Sequence, residues 1–377
     1  MSWGRLFLAV MLVAAVQGCV DENQAATVVA KGGDDRTGGY EVVEGWWKAA
    51  PNHDGEWGWG DVAGIAVDNP DRIIAIARGD RPSDPAERGS GRTRSTNFIV
   101  VADRNGNIVE QWTQWDSLLT LPHQVFINPY DPERHVWVVD GGGTDGRGQV
   151  VKFSNDGSEV VMRLGEGEHL RSRDEARERS DWGPYTYGLP SVLAFLPDGS
   201  FLLADGYWNS RVIKYTEDGA FVSQFGELGT GPGQFDLLHG LTVDDDGRIY
   251  VADRMNSRIQ IFDETGEFIE EWPDIFDPVN IWLDTEGWVW VLDATLNRVM
   301  KFSRAGELQY HWGAYGQAGT LGRGEWAGGL SLPHQMDMDE EGNVYIASYS
   351  GGWVDKLVPR PGADPSKLLG PRLSLND

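Results

Sequence analysis

Short stretches in which apolar and polar residues alternate recur along most of the chain. The clearest set, between His239 and Trp272, reads GLTVD, RIYVAD, RIQIFD and FIEEW, with an Asp-Gly pair after the first stretch and a Thr-Gly pair after the third. Alternation with a period of two predicts β-strands that bury one face, and glycine-containing pairs of this kind predict tight turns between them. Each set therefore predicts an antiparallel meander of four strands.

The same set occurs six times, and the first copy is the most irregular. The copies begin near Val62, Leu121, Ser191, His239, Val279 and Leu332. Repeats of about 40 to 50 residues with four strands each are typical of β-propellers, in which every copy forms one blade of a ring. The pattern therefore predicts an all-β fold, a six-bladed β-propeller over residues 46–360, followed by a C-terminal tail at 361–377.

The first residues of the chain predict an export signal. Arg5 precedes an apolar run from Leu6 to Val16, which is too short to cross a bilayer comfortably, and Cys19 follows as the only cysteine of the chain. This arrangement predicts a signal peptide at 1–18, of the lipoprotein type in which the cysteine is lipidated, with an ordinary cleaved secretory signal as the alternative. Both predict export to the periplasm or cell surface, either anchored to the membrane through that lipid or secreted. The polar, glycine-rich residues 19–45 predict a tether.

The net charge of the chain narrows the range of expected binding partners. The chain carries 58 acidic and 32 basic residues, a net charge of −26 at pH 7. Nucleic acid is therefore not expected as a partner, because its phosphates would be repelled. A mature chain without a second cysteine has no internal disulfide, so closure of the ring is expected to stabilise the fold.

Three histidines occupy one register in alternate repeats. His123, His239 and His334 each stand at the start of a first strand, in the second, fourth and sixth copies. Because alternate blades of a six-bladed ring stand about 120° apart, the three imidazoles are predicted to converge on the central axis. Three imidazoles with an open fourth position form the ligand set of catalytic zinc sites, whereas Mg²⁺ and Ca²⁺ prefer oxygen ligands. The register therefore predicts a Zn²⁺ site.

Three further candidate residues follow second strands. In an antiparallel meander the start of the first strand and the end of the second lie at the same end of the sheet, so Arg78, Tyr207 and Arg254 are predicted to share the face of the ring that carries the histidines. Guanidinium groups suit a carboxylate, and Tyr207 is a candidate for proton transfer if neighbouring cations lower its pKa. Together they predict a pocket for a small molecule or peptide that ends in a carboxylate. Arg211 and Arg258 are interpreted instead as structural residues of their blades.

The residues around these positions resemble the lyase domain of peptidylglycine α-amidating enzymes, a six-bladed propeller of NHL-type repeats. The resemblance extends over about residues 62–357. The segment DGYWNSR resembles the one with the family's catalytic tyrosine, which falls on Tyr207. The segments ARGD and ADR resemble those with its substrate-binding arginines, here Arg78 and Arg254.

The resemblance also implies a cofactor and an activity. It implies that His123, His239 and His334 are zinc ligands. Members of this family, the peptidyl-α-hydroxyglycine α-amidating lyases or peptidylamidoglycolate lyases, cleave a peptide whose C-terminal glycine is hydroxylated at Cα, releasing glyoxylate and leaving a C-terminal amide. In such a reaction zinc acts as a Lewis acid, Tyr207 is expected to accept the hydroxyl proton, and the arginines are expected to hold the carboxylate.

The chain departs from the family pattern near the third histidine. Gln335 stands where the family carries an aspartate that helps to bind a structural Ca²⁺, which weakens the expectation of calcium here. Leu332 stands where animal members carry a methionine, and the propeller lacks the cysteines that form disulfides in them. A different hydroxylated or carbinolamide-like small molecule therefore stays open as the substrate.

Two other functions stay open as well. A non-catalytic NHL-repeat propeller would bind a protein or glycan on one face and would need no metal. A lactonase-type or other hydrolase-type propeller would use a central divalent ion, but such sites are usually built from carboxylates and asparagine, whereas the inner register here offers imidazole.

Overall fold

The computed structural model of the protein describes residues 30–31, 37–84, 86–87, 90–142, 148–165, 174, 178, 182–313 and 329–374. The predicted signal peptide at 1–18 and the predicted lipidation site Cys19 lie outside these residues, so both stay predictions. Within the described ranges, no helix is long and apolar enough to cross a membrane.

The described residues form six antiparallel blades, one from each predicted repeat. The first three blades contain the strands Val62–Asn69, Arg72–Ala77, Ile99–Ala102 and Ile108–Gln111; Pro122–Ile127, Val136–Asp140, Gln149–Phe153 and Val160–Leu164; and Val192–Phe195, Phe201–Asp205, Arg211–Tyr215 and Phe221–Phe225. The last three contain Leu238–Val243, Ile249–Asp253, Arg258–Phe262 and Phe268–Trp272; Pro278–Leu283, Val289–Asp293, Arg298–Phe302 and Leu308–Trp312; and Pro333–Met338, Val344–Ser348, Trp353–Pro359 and Tyr40–Val42. The predicted all-β six-bladed β-propeller is confirmed.

The ring closes through a strand that precedes the first blade in sequence. Tyr40–Val42 pairs antiparallel with Trp353–Pro359 and forms the outer strand of blade six. Arg360 strengthens this junction, because its Nε donates to the Tyr40 carbonyl over 2.7 Å. The strand lies within the segment 19–45 that we predicted as a tether, so part of that segment belongs to the ring. Main-chain hydrogen bonds therefore close the propeller without a covalent link.

Smaller elements surround the blades. Trp57–Trp59 pairs antiparallel with Asp80–Pro82, Glu227–Leu228 pairs parallel with Gln234–Phe235, and Ala30–Lys31 adds a parallel strand to Leu308–Trp312 of blade five. Three 3₁₀-helices are described, at Thr113–Trp115, Arg254–Asn256 and Pro365–Lys367. The predicted tail packs on blade five, where the N–H of Leu373 donates to the Leu283 carbonyl over 2.8 Å.

The middle strands of the blades make up the core. Val136–Asp140, Ile249–Asp253 and Val289–Asp293 are buried along their whole length, because neighbouring blades cover both faces of each sheet. The outer strand Phe221–Phe225 of blade three is mostly exposed. Large side chains such as Trp290 fill the space between blades, and complete burial of one apolar side chain contributes about 1.5–3 kcal/mol. The ring is thus a closely packed frame for the residues of its inner strands.

Candidate metal centre

The first strands of the blades that carry histidine contain β-bulges. In blade two, Pro122 and Gln124 face consecutive residues of the neighbouring strand, so His123 between them has no partner in the ladder. His239 and His334 are the skipped residues of blades four and six. A bulge takes the side chain of its extra residue out of the alternation of the strand. Local backbone geometry therefore presents all three imidazoles in the same way.

Each imidazole is held by the following blade. In every case Nδ1 donates to the main-chain carbonyl of the residue that has the same register in that blade. The pairs are His123 with Ser191 at 2.7 Å, His239 with Val279 at 2.8 Å and His334 with Ala63 at 2.6 Å. Because a carbonyl oxygen only accepts, Nδ1 carries the proton and Nε2 keeps its lone pair. The ring thus fixes the orientation and the tautomer in which an imidazole binds a metal.

The three histidines form one buried cluster. One ring nitrogen from each lies within 4.8 Å of those of the other two. Burial and Arg254 lower the pKa of His239 to about 3, and burial together with neighbouring imidazoles holds the pKa values of His123 and His334 well below their usual range. The imidazoles are therefore neutral at pH 7, which is the form that binds a metal. The predicted convergence is confirmed, and the cluster can hold a metal ion.

A pocket of about 330 Å³ opens beside the histidines. Five of the six predicted metal and substrate residues line it, namely Arg78, His123, Tyr207, Arg254 and His334. The sixth, His239, reaches the pocket through its contact with the Tyr207 hydroxyl group. Apolar side chains such as Leu121 and Leu189 cover much of the remaining wall. The pocket therefore combines a polar floor with an apolar surround, as small-molecule sites usually do.

The hydroxyl group of Tyr207 lies among the ring nitrogens. Its oxygen is 2.9 Å from Nε2 of His123 and 2.9 Å from Nε2 of His239. Burial raises the pKa of Tyr207, and the guanidinium groups of Arg254 and Arg78 oppose that rise. A ligand bound at the histidines would therefore contact a phenol that can exchange a proton with it.

The two predicted arginines are held in different ways. Arg254 forms an ion pair with Asp277, whose carboxylate accepts from Nε over 2.5 Å. Arg78 donates to the Tyr349 hydroxyl oxygen over 2.6 Å and forms no ion pair with a carboxylate that the structure describes. The charge of Arg254 is thus partly compensated, whereas the charge of Arg78 faces the pocket without a carboxylate partner among the described residues. Of the two, Arg78 is the better placed to attract an anion.

Tyr349 lines the pocket although it was not among the predicted site residues. It is the first residue after the second strand of blade six, and Arg78 and Arg254 are the first residues after the second strands of blades one and four. That shared register was the signal that could have found it, because the residues after second strands lie at the same end of their blades.

Arg211 and Arg258 are held inside their own blades, as interpreted from the sequence. Nε of Arg211 lies 3.2 Å from the Asp205 carboxylate, and Nε of Arg258 lies 2.9 Å from that of Asp253. Asp205 also accepts from the main chain of the preceding loop. These pairs fix the loops that present the pocket residues, including the one that carries Tyr207.

The donor set at the axis fits a borderline metal ion. Three neutral imidazole nitrogens beside an open pocket match the ligand set of catalytic Zn²⁺ sites. The described lining of the pocket contains no carboxylate, and a hard cation such as Mg²⁺ would need oxygen ligands. The residues present therefore fit Zn²⁺ better than Mg²⁺ or Ca²⁺.

A structural Ca²⁺ does not fit at Gln335. Its Oε1 accepts from the main-chain N–H of Ile65 over 3.1 Å, and its Nε2 donates to the main-chain carbonyl of Val125 over 2.8 Å. Calcium needs oxygen ligands, whereas here an N–H group points at the carbonyl that would supply one of them. The amide instead joins blades one, two and six directly by hydrogen bonds.

Comparisons of sequence find one NHL-repeat match and several distant relatives. The family model for the NHL repeat matches residues 235–262. NHL repeat-containing protein 3 of Homo sapiens is 28% identical over 334 residues, which cover 87% of this chain and 86% of that protein. Peptidyl-glycine alpha-amidating monooxygenase B of Xenopus laevis is 31% identical over 228 residues, which cover 56% of this chain and only 24% of that protein. Peptidyl-alpha-hydroxyglycine alpha-amidating lyase 1 of Drosophila melanogaster is 24% identical over 221 residues, covering 54% and 38%.

Solved structures share the fold. A streptogramin B lyase matches with a TM-score of 0.53 and 16% identity, covering 85% of this chain and 97% of that one. A gluconolactonase from Xanthomonas campestris matches with a TM-score of 0.52 and 13% identity, covering 87% and 91%. At such low sequence identities, these two structural similarities show a shared fold and nothing about function. The chain is a six-bladed β-propeller with an NHL-repeat match at residues 235–262, and its distant relatives include proteins named peptidyl-α-hydroxyglycine α-amidating lyases.

Proposed function

We propose that the protein is an exported, zinc-dependent carbon–nitrogen lyase that cleaves a carbinolamide to an amide and glyoxylate. The observation that carries this proposal is the meeting of three neutral imidazoles, the Tyr207 phenol and two guanidinium groups at one pocket. The similarity to proteins named amidating lyases supports it. The substrate would be a peptide or small molecule that ends in an α-hydroxyglycine carboxylate.

The two arginines have separate roles in this proposal. Arg78 binds the substrate carboxylate, because its charge faces the pocket and a guanidinium group can donate two parallel hydrogen bonds. Arg254 is held by Asp277 and stands beside Tyr207, where its charge favours the phenolate form of that side chain. One arginine thus places the substrate, and the other prepares the base.

Cleavage of the carbinolamide balances in protons and electrons without a further reactant. Zinc held by His123, His239 and His334 would supply a Lewis acid beside the hydroxyl oxygen of the substrate. The Tyr207 phenolate takes the hydroxyl proton, the electrons of that O–H bond form the aldehyde C=O bond, and the C–N bond breaks. The amide nitrogen then receives the proton from Tyr207. The products are a primary amide and glyoxylate, and nothing is oxidised or reduced overall.

The two alternative functions, a lactonase-type hydrolase and a non-catalytic binding protein, are compatible with the propeller fold but do not explain the residues of the pocket. Lactonase-type propellers usually bind their ion through carboxylates and asparagine, and the described lining contains neither. A non-catalytic propeller that binds a protein or glycan gives no reason for three buried neutral imidazoles to share one side of a pocket with a phenol.

The test is glyoxylate release from N-benzoyl-α-hydroxyglycine by the purified chain, with metal content measured on the same sample. About one zinc per chain and turnover that a chelator abolishes are expected. Tyr207→Phe should keep the zinc and lose about 100-fold or more in kcat, as for loss of a general base. Tyr185→Phe is the matched control, because Tyr185 donates to the Gly219 carbonyl over 3.2 Å in blade three and does not line the pocket.

The outcomes separate the candidates. Zinc without glyoxylate release would discard the substrate assignment and keep a metal site. A chain that takes up no metal would favour the non-catalytic propeller. Full activity in Tyr207→Phe would remove the proposed base.

Export is part of the proposal, through a signal peptide that ends before Cys19. Mass spectrometry of the chain from the membrane fraction should find a mature N-terminus at Cys19 that carries lipid. Cys19→Ser should release the protein from the membrane fraction. An unlipidated mature chain in wild-type cells would favour the ordinary secretory signal instead.

A further inference from the structure

The pocket contains two tyrosines with different contacts. Tyr207 contacts the Nε2 atoms of His123 and His239, whereas the ring of Tyr349 packs on the third histidine, His334. The ring centroids of Tyr349 and His334 are 5.3 Å apart and their planes are inclined by 25°, so the two rings are stacked. The main-chain N–H of Tyr349 donates to the Leu332 carbonyl over 3.1 Å. Both the backbone and the ring of Tyr349 are therefore fixed.

Arg78 contacts Tyr349 in two ways. A terminal nitrogen of Arg78 lies 2.6 Å from the Tyr349 hydroxyl oxygen, and the central guanidinium carbon lies 4.9 Å from the centroid of the same ring. A weaker contact joins Nε of Arg78 to the Pro122 carbonyl at 3.4 Å. Arg254, by contrast, is oriented by the Asp277 carboxylate. Tyr349 thus orients Arg78 as Asp277 orients Arg254, but Tyr349 adds no negative charge.

The hydroxyl group of Tyr349 is influenced by a carboxylate of the first blade as well as by Arg78. A guanidinium group has only donors, so the phenol oxygen accepts from Arg78 and its own hydrogen is left for another acceptor. Burial raises the pKa of Tyr349, the Arg78 charge lowers it, and the charge of the nearby Asp61 carboxylate raises it. Asp61 is held in turn by Arg81, with its carboxylate 3.0 Å from a terminal guanidinium nitrogen. The first-blade loop therefore acts on the Tyr349 hydroxyl group through the charge of Asp61.

We infer that Tyr349 is a positioning residue that holds the Arg78 guanidinium group ready for the carboxylate of the substrate. A long flexible side chain loses rotamer freedom when it binds an anion, and a contact made beforehand removes part of that cost. Tyr349 therefore strengthens carboxylate binding without touching the group that takes the proton. The inference rests on the proposed function for its kinetic consequences only, because holding Arg78 also governs the binding of an unreactive carboxylate.

Tyr349→Phe in the zinc-loaded full chain isolates the hydroxyl group. Phenylalanine keeps the ring beside His334 and Arg78 and removes only the oxygen that accepts from Arg78. The affinity for hippurate, an analogue with the carboxylate but no hydroxyl group, is expected to fall about tenfold in calorimetry, as for loss of one hydrogen bond to a charged group. The KM for N-benzoyl-α-hydroxyglycine should rise by the same factor, whereas kcat and zinc content keep their wild-type values.

A double-mutant cycle tests whether Tyr349 acts through Arg78. Arg78→Lys keeps a positive charge but cannot make the planar contact, so it should weaken hippurate binding by itself. Adding Tyr349→Phe to Arg78→Lys should then cost little further affinity, because the two changes remove the same arrangement. Tyr185→Phe, which removes a phenol hydroxyl away from the pocket, should bind hippurate like the wild type.

Wild-type hippurate affinity in Tyr349→Phe would overturn the inference, and so would additive losses in the cycle or a lower kcat with an unchanged KM. A wild-type chain that binds no hippurate would remove the carboxylate anchor and the inference with it. A chain that binds hippurate but releases no glyoxylate would reject the proposed function alone, and the binding cycle would still decide the role of Tyr349.

Discussion

The hydroxyl oxygen of Tyr207 lies 2.9 Å from Nε2 of His239, and the same oxygen lies 2.9 Å from Nε2 of His123. A phenol has one proton, so it can donate to only one of these nitrogens at a time. Both nitrogens are those that the proposed metal ion would need. Removal of this hydroxyl group should therefore affect the metal-stripped protein and the metal-loaded protein differently.

We expect Tyr207→Phe to destabilise the metal-stripped protein more than the zinc-loaded protein. Without the hydroxyl group a buried ring nitrogen loses its donor, which costs about 1–3 kcal/mol, whereas bound zinc would take over both nitrogens. Urea unfolding of both proteins, with zinc and after chelation, measures the difference. An equal loss of stability in the two states would contradict the expectation.

His239→Gln should remove metal and activity together. His239 is fully buried and supplies one of the three ring nitrogens of the described cluster, so the affinity for zinc should fall by more than the roughly 100-fold that loss of an outer hydrogen-bond partner costs. His311→Gln is the matched control, because His311 lies on the outer strand of blade five, and it should bind zinc normally. Equal zinc content in the two variants would show that His239 is not a ligand.

In the plot of kcat/KM against pH, Arg254→Gln should move the limb that rises with pH to higher pH. Burial raises the pKa of Tyr207 and the charge of Arg254 opposes that rise, so loss of the charge raises this pKa further. A base acts in its deprotonated form, and a higher pKa therefore requires a higher pH for the same value of kcat/KM. Arg304→Gln removes the same charge from a surface pair with Asp245 and should leave the limb in place. A shift to lower pH in Arg254→Gln would contradict the role of Tyr207 as base.

Stability should not depend on calcium but should depend on Gln335. Its amide satisfies main-chain groups of Ile65 and Val125, so Gln335→Leu leaves buried polar groups unpaired and should cost about 1–3 kcal/mol for each group lost. Gln335→Glu keeps the accepting oxygens but not the donor to Val125, and an intermediate loss is expected. Thermal unfolding of the zinc-loaded wild type with and without added CaCl₂ is the second measurement. A melting temperature raised by CaCl₂ would mean that calcium binds despite the amide.

The blades were predictable because their signal is local. Alternation of apolar residues between His239 and Trp272, with glycine-containing pairs at two of the turns, predicts strands that the structure has within one or two residues. The equal register of the histidines could be read in the same way, since a repeat places equivalent residues at equivalent positions. Because six blades close into a ring, equivalent residues of alternate blades meet at the axis. The convergence of His123, His239 and His334 follows from this.

The bulges and the partners of the side chains were not predictable. Pairing that skips His123 is a property of two strands together, and nothing in PHQVFI distinguishes it from regular alternation. Likewise, the partner of each Nδ1 is a main-chain carbonyl of the next blade, which any residue can supply. Residue type carries no information about such a contact.

The sequence by itself determined the number of blades and the residues that would meet at the axis, because periodic burial and repeat register are set by neighbours along the chain. Only the tertiary structure decided how the two arginines differ. Arg254 is paired with Asp277, whereas Arg78 is held by Tyr349, 271 residues away in the chain. That contact exists only when the last blade lies beside the first, so ring closure, and not any local pattern, creates it.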